Sequence, residues 1–429
     1  MDVREMMQGS IDYIEQNLKA ELNAGELAER AGFSMFHYYR LFQAATGMPV
    51  MQYILRRRLL HAIYHIHLGQ KGIDAALNYG FDTYAGFYRA FRRMFGCTPA
   101  QFLRRYKARE PAPPNLIKEE HIVITHQKAM DMLRHWGLTD QPVADIFYEG
   151  TGNHNDNAYY VGDAYVLKFT ANLGRLKNHI ALSKAIAQAG LSSSIPVPAE
   201  DDQEILQDGE LFFCLTRRIP GRQLAADALY QPQGADVAQR IGQSIGRLHR
   251  ALCTVEAPVQ KASLNPDWAL SGAKHVPGLD EAFCAAALET MKQLYPKLPR
   301  QIIHRDPNPG NLISDGEQWG FIDFELSEEN VRIFDPCYAA TAILSETFFS
   351  DDSARLEQWL AIYHRIMQGY DQAAVLTPEE RRAVPYVLFA NQLCCVAWFA
   401  QQDRYPEAFE VNKRMTRWIA RYFDQLTLA

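Results

Sequence analysis

The chain has 429 residues, which at about 150 residues per domain predicts two or three domains, and its 48% apolar content argues against extended disorder. Residues 1–107 carry 14 Lys and Arg against 9 Asp and Glu, a net charge of +5, whereas the whole chain has −6, so the remainder carries −11. A basic module followed by an acidic one predicts different partners and argues against nucleic acid as the partner of the acidic part.

The cysteines and the apolar runs bear on the compartment. Seven cysteines form no CxxC pair, and no histidine cluster has zinc spacing, so reduced thiols in a cytoplasmic protein are expected. The N-terminus has no basic-then-apolar signal pattern. The longest apolar run, Tyr386 to Ala400, is too short to span a bilayer, so we expect a buried helix there and no membrane partner.

Two similar segments lie in the first hundred residues. Gly32-Phe33 recurs as Gly80-Phe81 at an offset of 48 residues, and Tyr39-Arg40 recurs as Tyr88-Arg89 at an offset of 49. Spacing of this kind predicts a duplicated helical unit.

Each copy is predicted to form a helix, a tight turn and a second helix. Ser34 caps the second helix of the first copy, and Asp82 or Thr83 caps that of the second. On the second helix of each copy, apolar residues spaced three and four positions apart are predicted to face the core. The opposite face carries aromatic and basic side chains. The outward residues are Phe36, Tyr39, Arg40 and Gln43 in the first copy and Tyr84, Ala85, Tyr88, Arg89, Arg92 and Arg93 in the second. Such a face predicts insertion into a DNA major groove.

The segments "LAERAGFSMFHYYRLFQAATGMP", "QYILRRRLLHAIYHI" and "GFDTYAGFYRAFRRMFGCTPAQFLRR" resemble the DNA-binding domain of AraC-family transcription regulators. The resemblance covers about residues 7–106 and implies an all-α domain over 1–107 that binds double-stranded DNA in successive major grooves. Because aromatic rings offer few hydrogen bonds to base edges, thymine-methyl contact and shape reading are expected. The implied base contacts are Phe36, Tyr39, Arg40, Tyr84, Ala85, Tyr88 and Arg89. The Arg56-Arg57-Arg58 run of the joining helix is expected to be a solvated face.

The middle of the chain changes from helical to strand patterns. Prolines in "KAREPAPPNL" predict a stiff linker, assigned to 108–128. "HQKAMDMLRHWGL" predicts an amphipathic helix, short antiparallel strands follow from Val143, and the chain is mostly helical beyond Gly234. Predicted turns and helix ends lie at Glu149–Asn157, Gly162-Asp163, Gly190 and Asp208-Gly209.

The stretch "HRDPNPGNLISDGEQWGFID" contains groups that bind metal and accept protons. "HRDPNPGN" fits H-R-D-x-x-x-x-N, and a hairpin turning at Asp315-Gly316 is expected to bring Asn311 beside Asp323. Oxygens from these two residues suit Mg²⁺, which takes few protein ligands. Asp306 is then predicted to accept the proton of an acceptor hydroxyl.

Upstream groups complete a predicted nucleotide site. Lys168 in "GDAYVLKF" is placed on a strand, where its ammonium could hold phosphates. Gly150 and Gly152 lie in a turn whose amides could approach phosphate. "CLTRRIPGRQL" is predicted to be a hinge whose backbone groups from Arg217 to Ile219 could bind adenine.

The segments "AYVLKFT", "RRIPGRQL", "IGRLHRAL", "HRDPNPGNLI", "GFIDFE" and "FDPCYAAT" resemble aminoglycoside phosphotransferase and choline kinase-like small-molecule kinases over about residues 130–425. The resemblance implies an α+β bilobal protein-kinase-like fold after the all-α domain, with a nucleotide-binding lobe at 129–219 and a catalytic lobe at 220–429. It implies ATP and Mg²⁺ as cofactors and a small-molecule acceptor or effector. The implied roles are Asp306 as base, Asn311 and Asp323 as metal ligands, Lys168 as phosphate holder, and His304 with Arg305 in the catalytic loop.

One position departs from that family. The helix after Lys168 normally offers a Glu to the lysine, whereas His179 stands there and no acid occurs between Phe169 and Pro198. Among neighbouring groups, Asp335 is expected to cap a helix and His249 to be packed between the two lobes. Glu328 and Glu329 are expected either in a solvated turn or at a cationic acceptor.

The sequence favours a regulator of AraC type carrying a kinase-like domain that phosphorylates or senses a hydroxyl-bearing molecule. An alternative is a small-molecule kinase with a vestigial DNA-binding module, against which the intact repeat and its basic face argue. A pure regulator with an inactive kinase domain is a third possibility, against which the intact Asp306, Asn311 and Asp323 argue.

Overall fold

A computed structural model describes residues 3–106, 108–111, 113–116, 124, 126–147, 154–262, 266–348, 353–402 and 406–428. The chain divides into two compact units. One comprises Met1–Leu173 with Pro196–Arg218, and the other comprises Gly174–Ile195 with Ile219–Ala429.

The N-terminal part of the first unit is helical and contains the predicted repeat. Ser34 accepts a hydrogen bond from the His37 amide, and Thr83 rather than Asp82 accepts from the Gly86 amide, so both second helices begin where the caps were predicted. Gly32 and Gly80 have φ values of +75° and +78° at the two tight turns. The helices are α1 (Val3–Gln16), α2 (Ala24–Arg30), α3 (Met35–Thr46), α4 (Val50–His67), α5 (Gly72–Asn78), α6 (Tyr84–Phe95) and α7 (Pro99–Arg105).

The three arginines of α4 are structural, so the expected solvated face is wrong. Arg57 is buried and binds both carboxylate oxygens of Glu15, at 2.7 and 2.8 Å. Arg58 donates to the carbonyl oxygens of Leu18 and Ala20. Although burial alone would raise the pKa of Glu15, the neighbouring His61 and the charge and hydrogen bonds of Arg57 lower that pKa to about 2. The Glu15 carboxylate therefore stabilises the fold above its ordinary pKa of 4.5, and this contribution is lost as the pH falls through about 2.

The proline-rich linker is bound to the helical region. Arg57 donates to the carbonyl oxygen of Pro111 at 2.7 Å, and Gln8 donates to that of Pro114 at 3.1 Å. The Leu116 amide donates back to Gln8 at 2.6 Å. These bonds hold residues 111–116 of the predicted stiff linker, as far as they are described, against α1 and α4.

A helix and an antiparallel sheet complete the first unit. The sheet has the order β1-β2-β3-β7-β5, with β6 also paired to β7. Of the turn predicted at Glu149–Asn157, residues 154–157 lie in strand β2 instead, and residues 148–153 lie outside the described part. The Asp208-Gly209 hairpin is confirmed. In chain order the elements are α8 (His126–Leu133), β1 (Val143–Phe147), β2 (His154–Val161), β3 (Tyr165–Thr170), α9 (Leu173–Gln188), β4 (Ser192–Ser193), β5 (Pro196–Val197), β6 (Leu206–Asp208) and β7 (Leu211–Arg217), of which most of α9 and all of β4 belong to the second unit.

Strand β1 is packed into the helical region. The Phe147 ring lies 5.0 Å from that of Phe102, 5.4 Å from that of Tyr106 and 5.7 Å from that of Phe95, and it belongs to the same apolar core. Asp145, whose side chain is 0% exposed, accepts a hydrogen bond from Arg56 of α4 at 2.9 Å. Strand β1 therefore contributes Phe147 to the core of the repeat, whereas most of the other buried apolar residues of the sheet form a core of their own.

Replacing Phe147 with Ala should destabilise the helical region although Phe147 lies outside it in sequence. Removing a buried aromatic ring costs about 3–5 kcal/mol, because transfer and cavity terms add. Denaturant unfolding of the full chain should show this loss, whereas Phe36→Ala, at a 75% exposed position, should change stability little. A Phe147→Ala midpoint equal to that of the parent chain would contradict the role of Phe147 in the core of the repeat.

The second unit is mainly helical, with two small sheets. Its core lies between long helices, and the apolar run predicted to be a buried helix is confirmed within α15. The sheets have the orders β4-β12-β11-β8 and β10-β13-β9. Its remaining elements are β8 (Arg222–Gln223), α10 (Gly234–Leu252), β9 (Gln260–Lys261), α11 (Pro266–Ala273), α12 (Glu281–Leu294), β10 (Arg300–Ile303), β11 (Leu312–Ser314), β12 (Trp319–Phe321), β13 (Glu328–Val331), α13 (Phe334–Thr347), α14 (Ser353–Ala373), α15 (Pro378–Phe399) and α16 (Pro406–Arg421). Across the described ranges, no helix is long and apolar enough to cross a membrane.

Candidate active site

The loop after β10 is anchored by Asp335. The backbone amides of His304 and Arg305 donate to Asp335 at 2.8 and 2.9 Å. Arg305 has φ +78°, a left-handed conformation that a non-glycine residue keeps only when its surroundings impose it. The two hydrogen bonds supply that constraint, so the expected helix-capping role of Asp335 is wrong: its carboxylate holds the loop, and Ile333 is the N-cap of α13.

A buried histidine supports the same carboxylate. His249 Nε2 lies 2.9 Å from Asp335 Oδ2, and its Nδ1 lies 2.8 Å from the Tyr370 hydroxyl. His249 is buried, and its partners Asp335 and Tyr370 both belong to the second unit, so it orients Asp335 there. Sequence reasoning missed this link, although both "GRLH" and "FDP" were among the segments that carried the family resemblance.

Asp306 is held by two asparagines. Asn308 Nδ2 donates to Asp306 Oδ1 at 2.9 Å, and Asn311 Nδ2 donates to Asp306 Oδ2 at 3.2 Å and to its carbonyl oxygen at 2.9 Å. Burial raises the pKa of Asp306, the charge of Asp323 adds to this, and the hydrogen bond from Asn308 partly offsets it. A fixed carboxylate with a raised pKa is suited to accept a proton.

The hairpin places Asn311 next to Asp323, as predicted. Leu312 is paired with Phe321, and the Ile322 amide donates to the Asn311 carbonyl oxygen at 3.1 Å, so Asp323 follows directly. Because the Asn311 amide nitrogen faces Asp306, its Oδ1 is turned away from that carboxylate. One amide oxygen and one carboxylate fit Mg²⁺, which keeps several waters. In the described part of the chain no group of three His, Cys, Asp or Glu side chains could hold a metal.

His304 joins the two parts of the site. Its Nε2 lies 2.9 Å from the Ile322 carbonyl oxygen, and its Nδ1 accepts from the Asp306 amide at 3.3 Å. These contacts require the neutral tautomer with the proton on Nε2. The ring also packs on Phe324, with centroids 4.7 Å apart. His304 therefore contacts both the loop that carries Asp306 and the loop that carries Asp323.

Glu328 and Glu329 do not form the expected turn. Both lie in β13, paired with β10. Glu328 binds Arg305 at 3.0 Å, and Glu329 lies 3.5 Å from Lys261. Their charges are matched by neighbouring cations, which argues against a role in attracting a cationic acceptor.

The other predicted nucleotide residues are distributed between the two units. Lys168 lies on β3 of the first unit, buried and in register with Ala158 and Cys214. Arg217 is exposed at the end of β7 in that unit, and the chain enters the second unit at the buried Ile219. Gly150 and Gly152 lie outside the described residues.

The predicted DNA-contact residues lie on the outward faces of α3 and α6. Phe36, Arg40, Tyr84, Ala85 and Arg89 are exposed. Tyr39 and Tyr88 are half-buried, which leaves part of each ring accessible. The inward face of the same helices is buried and consists of Tyr38, Phe42, Phe87 and Phe91, and the neighbouring Leu41 is half-buried.

Comparisons with known proteins divide the chain in the same way. The model of the phosphotransferase enzyme family matches residues 150–376, and a helix-turn-helix domain model of AraC type matches residues 27–105. The putative HTH-type transcriptional regulator YkgA of Escherichia coli is 31% identical over 24% of this chain and 43% of that protein. The regulatory protein SoxS of Salmonella typhimurium is 30% identical over 24% of this chain and 99% of its own length. The chain thus spans less than half of the first of these relatives and nearly all of the second.

Two solved kinases share the fold of the remainder. The amicoumacin kinase hAmiN, solved with AMP-PNP, Ca²⁺ and Ami, has a TM-score of 0.51 at 14% identity. The match covers 70% of this chain and 94% of the hAmiN chain. A microcompartment-associated aminopropanol kinase has a TM-score of 0.50 at 16% identity, covering 71% and 99%. At these identities the likeness shows the fold alone.

Proposed function

The chain belongs to the phosphotransferase enzyme family and carries an AraC-type helix-turn-helix domain, and we propose that it is a DNA-binding transcription regulator whose kinase-like domain binds Mg-ATP. That domain phosphorylates or senses a hydroxyl-bearing small molecule. The observation that carries the proposal is the hydrogen bond from Asn311 to the Asp306 carboxylate, together with the hairpin that pairs Ile322, the residue before Asp323, with Asn311. These residues include the base and the metal ligands of the phosphoryl-transfer template. Chromosomal DNA and ATP as partners imply a cytoplasmic site of action.

The proposed reaction moves one phosphoryl group. Asp306 accepts the proton of the acceptor hydroxyl, the hydroxyl oxygen bonds to the γ-phosphorus of ATP, and the bond from that phosphorus to the β–γ bridging oxygen breaks, so ADP leaves. Asn311 and Asp323 would hold Mg²⁺, which neutralises phosphate charge when bound. In the proposed assignment Lys168 holds phosphate oxygens, Gly150 and Gly152 offer amides to phosphate, and the backbone from Arg217 to Ile219 binds adenine.

The sequence division into 1–107, a 108–128 linker, 129–219 and 220–429 is retained as the proposed modular organisation. Its first three parts are connected by the Phe147 contacts and by the linker bonds to Gln8 and Arg57. We therefore propose that the functional DNA-binding element includes β1, and experiments on DNA binding should use the full chain.

Turnover separates the enzyme from the sensor. The full chain is incubated with Mg-ATP and a panel of aminoalcohols, sugars and aminoglycosides, and ADP release is measured for each compound. A compound that stimulates ADP release and acquires phosphate establishes the kinase. A compound that changes DNA affinity without ADP release establishes the sensor. A chain that binds neither Mg-ATP nor any compound would contradict the proposal for this domain.

The two arginines at equivalent repeat positions should each read one half-site. Arg40→Ala or Arg89→Ala in the full chain should cost roughly 1–3 kcal/mol of DNA binding if the side chain reads a base, and should relax preference over one half-site only. Binding is measured by anisotropy on a duplex selected from a random pool, across a salt series, since phosphate contacts make affinity fall with salt.

The matched control for this experiment is Arg109→Ala, which removes an exposed arginine outside α3 and α6. It should leave sequence preference unchanged. A uniform loss with Arg40→Ala across all duplexes would assign that side chain to phosphate instead. Absence of DNA binding by the full chain at low salt would contradict the regulator and leave the kinase alone.

A further inference from the structure

Helix α9 presents a histidine to the loop that carries Asp323. His179 is 1% exposed, and both its helix position and the loop belong to the second unit. The Phe324 amide donates to His179 Nδ1 at 3.3 Å, and the two rings lie 6.2 Å apart. An imidazole that accepts at Nδ1 is neutral and carries its proton on Nε2.

The same loop is bound by a histidine on its other side. His304 Nε2 donates to the Ile322 carbonyl oxygen at 2.9 Å, and the His304 ring packs on Phe324. The residue before Asp323 and the residue after it are therefore each hydrogen-bonded to a buried histidine. Asp323 itself has φ +67°, in the left-handed region, which aspartate tolerates better than most residues and which its surroundings hold in place.

We propose that His179 is a positioning residue that, together with His304, fixes the left-handed conformation of Asp323 and so directs its carboxylate to the metal. The chemistry at Asp323 rests on the function proposed above, whereas the hydrogen bond itself does not. No acid lies between Phe169 and Pro198, so this helix offers no carboxylate that could form an ion pair. Its contribution to the site is a neutral hydrogen-bond acceptor for the metal-binding loop.

Two substitutions at one position test the proposal. His179→Leu keeps an apolar side chain of similar bulk and removes the acceptor. His179→Asn places a carbonyl oxygen close to the former Nδ1. The exposed His275 supplies the control, since His275→Leu makes the same change away from the loop.

The first measurement needs no nucleotide or metal. Hydrogen exchange of the Phe324 amide is followed by NMR in the apo protein. His179→Leu should accelerate this exchange by about tenfold, the effect of losing one hydrogen bond, whereas His179→Asn and His275→Leu should leave it within about twofold of the parent. Unchanged exchange in the Leu variant would overturn the proposal.

The second measurement concerns the metal directly. Mn²⁺ binding is followed by electron paramagnetic resonance in the presence of AMP-PNP. The Mn²⁺ concentration for half-saturation should rise about tenfold in His179→Leu and recover in His179→Asn. A merely structural role would lower the unfolding temperature of both variants without separating their metal affinities, and that outcome would overturn the proposal.

Failure of the proposed function gives a different pattern. If the parent chain binds no Mn²⁺ with AMP-PNP, the kinase function and the metal-directing role fail together, while the exchange data still decide whether His179 holds the loop. If His179→Leu does not fold, the Asn variant decides alone. In folded His179→Asn, a Phe324 amide exchange rate and a Mn²⁺ affinity near those of the parent support the proposal. Faster exchange or weaker Mn²⁺ binding in that variant overturns it.

Discussion

Replacing Asp306 with Asn should lower phosphoryl transfer by a factor of about 10² or more, the usual range for losing a positioned base, while the fold and nucleotide binding persist. The carboxylate accepts from Asn308 and Asn311, and an amide of the same shape keeps one oxygen for one of these donors. It cannot take a proton from the acceptor hydroxyl. The loss should therefore fall on kcat, with little change in the KM for ATP.

The comparison uses an aspartate that performs no chemistry. Asp315 lies at the exposed tip of the hairpin, where Oδ1 accepts the Glu317 and Gln318 amides. Asp315→Asn keeps that acceptor and should have parental turnover. Steady-state kinetics with the best compound of the panel gives kcat and the KM for ATP, and nucleotide titration gives the affinity for ATP. Normal turnover in Asp306→Asn would remove Asp306 from the base role.

Features encoded by neighbouring residues were predictable from the sequence. The turn glycines and the caps at Ser34 and Thr83 act within three residues, so the repeat could be located from spacing alone. The loop that carries Asp306 and Asn311 was predictable for the same reason, because Asn311 follows Asp306 by five residues and a short hairpin brings Asp323 beside Asn311. These interactions depend little on the rest of the chain.

Interactions between distant residues were not predictable in this way. Arg56 belongs to a run of three arginines that is typical of a solvated helix face. Its partner, however, is Asp145, which lies 89 residues away in the sequence. Asp335 precedes a proline, as many helix-capping residues do, yet its carboxylate binds amides about thirty residues upstream. Phe147 lies in a segment with the alternating pattern of an ordinary strand. Nothing in the neighbouring sequence indicates that its ring enters the core of the helical repeat. Buried polar and aromatic groups are fixed by tertiary packing, which a single sequence does not encode locally.

The last prediction concerns the metal. Asp323→Ala should abolish Mg²⁺-dependent ATP binding, since Asn311 alone, with one neutral oxygen, holds the ion poorly. Asp323 has φ +67°, and Asp tolerates this region better than Ala, so the alanine variant also loses backbone support. Asp323→Asn separates the two effects, because Asn tolerates the same conformation and lacks only the charge. Isothermal titration with AMP-PNP, with and without Mg²⁺, should show loss of the Mg²⁺-dependent component in both variants. Mg-nucleotide affinity unchanged from the parent in Asp323→Asn would exclude the Asp323 carboxylate charge as the source of metal binding.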